Sequence, residues 1–199
     1  MTGIQALERI APTKPTRPGL VERREFEYKR HGTQSLIANF EIVTGQVIAP
    51  SLGPTRTEVD FVRHIAQTLA LDPEGQWVFI VDQLNIHQSE GLVRLVAQAC
   101  DLTEELGVKG ECGILRSLTT RAAFLSDASH RIQFVYVPKH TSWLNQVEIW
   151  FSILMRRVLK RGNFASVEEL RARILAFIDY FNQTAKPFKW LHTGRPLVA

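Results

Sequence analysis

The sequence predicts an α/β protein, and three observations carry that prediction. Two short apolar, β-branched runs, Trp77–Val81 and Ile132–Val137, are too short for helices and read as buried strands. Segments with apolar residues at helical spacing alternate with those runs and follow them. Leu36, Ala38, Phe40 and Ile42 alternate with Ile37, Asn39, Glu41 and Val43, the period of two that marks a strand.

Along the chain, residues 1–24 read as an irregular lead-in, because Pro12, Pro15, Pro18 and Gly19 leave no room for a long helix or a central strand. Arg23 to Arg30 is charged and ends at His31-Gly32. The strand Leu36–Val43 follows, and Thr44-Gly45 turns it into a partner beginning at Val47-Ile48. Thr55 followed by Glu58 has the form of a capping box, with Val62, Ile65, Ala66 and Leu69 facing inward after it. The run Trp77–Val81 reads as a strand buried on both faces and ends in Asp82. A helix is expected from Ser89 to Cys100. Residues 101–130 hold Gly107, Gly110 and Gly113, with one short helix expected at Leu115–Leu125. Pro138 ends the strand Ile132–Val137. Two helices close the chain, one over Ser142–Arg161 and one from Ser166, where Glu169 completes a second capping box, to Phe181.

Composition narrows the class. Of 199 residues, 45% are apolar and 22% charged, which excludes a disordered, collagen-like or disulfide-scaffold chain. No stretch reaches the roughly 18 apolar residues of a membrane span, and the start Met1-Thr2-Gly3-Ile4-Gln5 lacks a signal-peptide pattern. Two cysteines, Cys100 and Cys112, fit neither a disulfide framework nor a zinc cluster, so the expected setting is the reducing cytoplasm. Charge is uneven. Residues 1–137 carry 14 Lys and Arg against 16 Asp and Glu, whereas residues 138–199 carry 10 against 4. A basic C-terminal third suits a polyanion such as DNA, and equally a solvated surface.

Two acids stand out. Asp82 sits at the carboxyl end of a buried strand, where open α/β sheets bind ligands. There it is a candidate metal ligand or base, or the cap of the loop that follows. His87 lies five residues on, placed to orient a water or a phosphate. On the helix after Ser142, Leu144, Val147, Phe151, Leu154 and Val158 form an apolar stripe, and Asn145, Glu148, Ser152 and Arg156 share the flank beside it. Glu148 there is a candidate ligand aimed at the sheet, or a half-exposed acid near the positive end of the helix dipole. Trp143 and Trp150 suit helix–sheet packing better than base stacking.

The segment Asp82-Gln83-Leu84-Asn85-Ile86-His87, with Pro138-Lys139-His140-Thr141-Ser142-Trp143-Leu144-Asn145-Gln146-Val147-Glu148, resembles the DDE transposases of the IS630/Tc1/mariner group. Arg30-His31-Gly32-Thr33, Tyr180-Phe181-Asn182 and Lys186-Pro187-Phe188-Lys189-Trp190 match the same group, so the resemblance covers nearly the whole chain. It implies one RNase H-like catalytic domain over residues 1–199, with 101–130 as an insertion and 142–183 as the C-terminal helices. It implies that Asp82 and Glu148 are the second and third acids of a catalytic trio holding two Mg²⁺ or Mn²⁺ ions, which would activate the attacking oxygen and stabilise the leaving one. Asn145 and His87 would support them, and Lys139, His140, Arg156 and Lys160 would contact DNA. Expected partners are transposon inverted-repeat ends and target DNA, a second copy or an intact transposase subunit, and no membrane. A bacterial cytoplasmic location, on the nucleoid when DNA is bound, goes with them.

Two departures qualify this. The family's first Asp and the central strand that carries it precede the segment resembling Thr2–Arg9, so the resemblance implies a chain truncated at its start. Asp82 and Glu148 are separated by 65 residues, a wider interval than the family commonly shows. A loop insertion is thermodynamically cheap. Loss of a central strand, by contrast, would bare two strand edges, on Leu36–Val43 and on Val78–Asp82. The functional alternatives are therefore an endonuclease and strand-transfer domain, weakly active or inactive as it stands, and a non-catalytic DNA-binding or transposase-binding regulator. A zinc hydrolase using Asp82, His87, His140 and Glu148 is a third.

Overall fold

The computed structural model describes residues 1–138 and 145–189. Among the described residues it is a mixed α/β structure with five strands in two sheets. Strands β1 (Ile4–Arg9), β2 (Tyr28–Phe40) and β3 (Val47–Gly53) form an antiparallel sheet in that order. Strands β4 (Trp77–Val81) and β5 (Ile132–Tyr136) form a parallel pair.

The lead-in is more ordered than the prolines suggest. β1 lies inside it, because Ile4 and Ala6 are buried against the C-terminal helices. The prolines fall after the strand, in a loop stapled by the bridges Lys14–Arg23 and Arg17–Leu20. β2 likewise begins at Tyr28, eight residues before the alternation becomes visible, since its first half pairs with β1 rather than covering a core. β2 ends at Phe40, so Glu41 lies in the turn and not on the strand. In that turn Gly45 has φ +75°, and a Cβ there would run into the Lys186 backbone carbonyl, so only glycine fits.

Helix α1 (Glu58–Leu69) starts two residues later than the sequence indicates. Thr57, not Thr55, is the cap: its hydroxyl accepts from the Asp60 amide, while the Asp60 carboxylate accepts from the Thr57 amide and both threonine hydroxyls. Helix α2 (Glu90–Ala99) falls within the expected span Ser89–Cys100, and Ser89 is its cap. Residues 101–130 contain a short 3-10 turn, Ile114–Arg116, and helix α3 (Leu118–Leu125), capped by Ser117 and Thr120. Buried Arg121 donates to the Leu115 and Gln88 carbonyls, which ties this segment to the loop after β4.

Helix α4 (Gln146–Leu154) continues into a π-helical turn, Met155–Leu159, rather than running as one α-helix to Arg161. Helix α5 (Val167–Gln183) is capped by Ser166, but Glu169 accepts from the Ala165 amide instead of closing the box on Ser166. Among the described residues no helix is long and apolar enough to cross a membrane. Cys100 and Cys112 are unpaired with each other.

Two cores result. One gathers α1, α2 and α3 on β4 and β5, around Phe79, Leu92, Leu115, Leu125 and Phe134. The other gathers α4 and α5 on β1–β3, around Leu36, Trp150, Leu154, Leu170 and Ile174. Trp150 is fully buried in it, the packing role expected of it. β4 departs from expectation: only one of its faces is buried. Val78 is 62% exposed and Ile80 41%, because the helices of the first core cover the opposite side.

Candidate functional site

Asp82 follows the last residue of β4, where the strand leaves the sheet and its helices no longer shield it. Its Oδ1 accepts from the Leu84 amide at 3.1 Å and pairs with His87 Nδ1 at 2.7 Å. The bond to His87 is the main reason its carboxyl is held below the usual aspartate range, with the imidazole charge, the Leu84 amide and Arg56 adding to it against the cost of burial. His87 is itself fixed. It lies on a 3-10 turn, Asn85–Gln88, its ring packs on Phe61 at 4.4 Å between centroids, and its carbonyl accepts from the Tyr136 hydroxyl at 2.9 Å. Burial pushes the Tyr136 phenol well above its usual range, so that donor keeps its proton. Gln83 Nε2 donates to the Val137 carbonyl and ties the same loop to the end of β5.

Glu148 is on the first turn of α4. Asn145 is the helix cap, with Oδ1 accepting from the Val147 amide at 3.3 Å, and the Glu148 amide donates to the Asn145 carbonyl. The Asn-x-x-Glu spacing thus reflects helix initiation, and the helix N-terminus favours the carboxylate. Glu148 is exposed, not tucked against the apolar stripe, and its carboxylate has no hydrogen-bond partner among the described residues.

Asp82, His87, Asn145 and Glu148 line one cavity of about 1030 Å³ between the two sheets. Sequence reasoning missed two other charged groups there. The Met1 ammonium donates to the Leu36 carbonyl at 2.8 Å. Burial, with Arg56, lowers its pKa to about 6, and the negative charges of Glu148 and Asp82 partly offset this. Arg56 lies in the turn before α1, lines the same cavity and acts on both Asp82 and Met1. No motif marks it; only the proximity of distant segments does.

Among the described residues, no three His, Cys, Asp or Glu side chains gather as a metal-holding group. Two carboxylates on one cavity, one of them committed to a histidine, do not amount to the ligand set that a pair of Mg²⁺ or Mn²⁺ ions requires. Of the zinc set, His140 lies outside the described residues.

Of the expected DNA contacts, Lys139 and His140, like Trp143, lie outside the described residues. Arg156 and Lys160 are exposed on and just beyond the π-helical turn. A second basic feature was not foreseen. Arg9, Arg24 and Arg161, from three separate segments, line a cavity of about 300 Å³ with Asn163. Asn163 Oδ1 accepts from the Arg9 amide, and Glu22 partners Arg24 at its edge.

A family model described as DDE superfamily endonuclease matches residues 2–171. No curated protein and no solved structure matches the chain significantly. The chain belongs to the DDE superfamily of endonucleases.

Proposed function

From that membership, we propose that this chain is an RNase H-like transposase domain of the IS630/Tc1/mariner type, acting on DNA phosphodiesters, with Asp82 and Glu148 as its site acids. The observation that carries this reading is that the two acids, 65 residues apart between them, line the same cavity at the end of β4. His87 keeps Asp82 ionised and oriented, and Asn145 sets the turn that presents Glu148. Arg156, Lys160 and the Arg9–Arg24–Arg161 cavity suit backbone phosphates, which position DNA without reading its sequence.

The acid set of the described residues favours a second reading as well: a non-catalytic form that binds DNA, or an intact transposase subunit, and regulates it. A nicking assay on supercoiled plasmid carrying inverted-repeat ends, with Mn²⁺ or Mg²⁺, separates the two. An enzyme gives metal-dependent nicks that Asp82→Asn or Glu148→Gln reduces by about 100-fold or more. The regulator gives a gel shift with no nicks above background, unchanged by either substitution. Absence of both nicking and DNA binding would defeat both readings.

A further inference from the structure

The smaller cavity, of about 300 Å³, shares no lining residue with the cavity of the two acids. The end of β1 supplies Arg9, the loop returning to β2 supplies Arg24, and the stretch after the π-helical turn supplies Arg161 and Asn163. Tertiary bonds assemble this wall. Asn163 Oδ1 accepts from the Arg9 amide at 2.6 Å, the Phe164 amide donates to the Leu7 carbonyl at 2.8 Å, and Phe164 is buried. Arg9 Nη1 donates to the Glu25 carbonyl at 2.6 Å, and the Lys14–Arg23 bridge closes the loop that leads to Arg24. Helix α4 and its π-helical turn lie between this cavity and Glu148, a separation on the order of 20 Å.

Every charged side chain on the wall is an arginine, and most of their donors are unused. Among the described residues the Arg9 guanidinium holds one carbonyl, Arg24 holds Glu22, and Arg161 holds nothing. A guanidinium offers five N–H donors in a planar fork. Glu22 shows what the place accepts: Arg24, and behind it Arg161, hold its carboxyl below the usual glutamate range. That carboxylate occupies one fork only. Three guanidinium charges less one carboxylate leave a net charge of +2.

Charge and shape together choose the ligand. A backbone phosphodiester carries one charge, offers two free oxygens and continues as chain on both sides. A phosphomonoester carries about −1.5 to −2 at neutral pH and presents three terminal oxygens, one for each fork. The chain ends at it, and a cavity of this size also takes the sugar that it esterifies. Ile10, Ala11 and Pro12 on the same wall are uncharged and offer that sugar an apolar contact. We propose that the Arg9–Arg24–Arg161 cavity binds a phosphomonoester, supplied by the 5′-phosphate end of a DNA strand or by a free mononucleotide. Glu22 is the internal competitor that the phosphate displaces. With a DNA end as ligand the inference rests on the DNA reading above; with a free nucleotide it does not.

The test uses the full 199-residue chain in EDTA, so that metal-dependent cutting plays no part. The probes are a short 3′-labelled single strand with a 5′-phosphate, the same strand with a 5′-hydroxyl, and deoxyadenosine 5′-monophosphate against deoxyadenosine. Anisotropy reads the strands and calorimetry the nucleotide. The phosphorylated strand should bind about tenfold more tightly than the hydroxyl strand. Arg161→Ala and Arg24→Gln should each erase that margin, and Glu22→Gln should widen it. Arg94→Ala, an equal charge change on α2, should leave it intact. If the nucleotide binds in an Arg161-dependent way while the strands show no margin, the free nucleotide is the ligand; strands that do not bind at all then defeat the DNA reading and leave the inference standing. If both strands bind equally and the nucleotide does not bind, the DNA reading stands and the inference is overturned. A margin that survives Arg161→Ala, a margin narrowed by Glu22→Gln, or no binding of any probe overturns it as well.

Discussion

The half of the molecule built on β4 and β5 and the half built on β1–β3 each present one of the two acids, and they hold them differently. Asp82 stands at the end of a parallel pair and is restrained by a ring, an amide and a loop buttressed by Tyr136. Glu148 stands on the first turn of a helix whose following residues, Trp150, Phe151 and Leu154, are buried. One acid is oriented by hydrogen bonds to its side chain, the other by the packing of the helix that carries it. A site shared by two cores depends on how those cores meet. Here the joining elements are α1, which packs on β3 and faces α2, and the cavity between the sheets.

The sharpest way to break the comparison is to damage each core in turn. Trp150→Ala removes a fully buried indole from one core and Phe134→Ala a fully buried ring from the other. Each should cost about 3–5 kcal/mol. If the halves fold as one unit, urea unfolding followed by tryptophan fluorescence and by far-UV dichroism shifts together in both variants. Separate transitions would mean that each half melts alone.

The next effect sits on the joining helix. His64 of α1 is 1% exposed, its Nδ1 bonded to Ser51 Oγ at 2.9 Å and its Nε2 buried without a partner among the described residues. Burial lowers its pKa to about 4. The unfolded chain binds this proton near pH 6.5 and the folded chain does not, so its contribution is present above pH 6.5 and is lost as pH falls toward 4. The loss should be on the order of 2–3 kcal/mol. Stability measured from pH 7 to 4 should show this slope, and His64→Gln should flatten it.

A smaller effect tests how the C-terminal helix grips its sheet. Asn182 at the end of α5 accepts from the Val47 amide and donates to the Val47 carbonyl, both at 2.9 Å, imitating a neighbouring strand. Asn182→Ala should cost about 1–2 kcal/mol. Amide exchange should quicken at Val47 while β4 and β5 are unaffected.

Legibility from sequence follows the same division. The apolar runs of β4 and β5, the amphipathic helices and the cap at Ser166 are local patterns, and they were readable as such. β1 was not, because a short strand followed by prolines looks like a loop until its partner is known. The shift of the cap from Thr55 to Thr57 was unreadable for a related reason: both threonines offer the same hydroxyl, and in the structure both donate to the Asp60 carboxylate. Asp82 and Glu148 were visible through strand end, helix start and motif. Arg56, the Met1 ammonium and the Arg9–Arg24–Arg161 cavity were invisible, since each is a meeting of segments with no pattern of their own.

Local residue order by itself determined which segments are strands and helices and that acids stand at two of their ends, because hydrophobic period and capping act within a few residues. Tertiary structure alone decided that the sheets remain separate, that one face of β4 is open, and that the acids share a cavity with an arginine and a half-buried ammonium. Those outcomes depend on which distant surfaces exclude water together, and hydrophobic burial is indifferent to the order in which the chain supplies them.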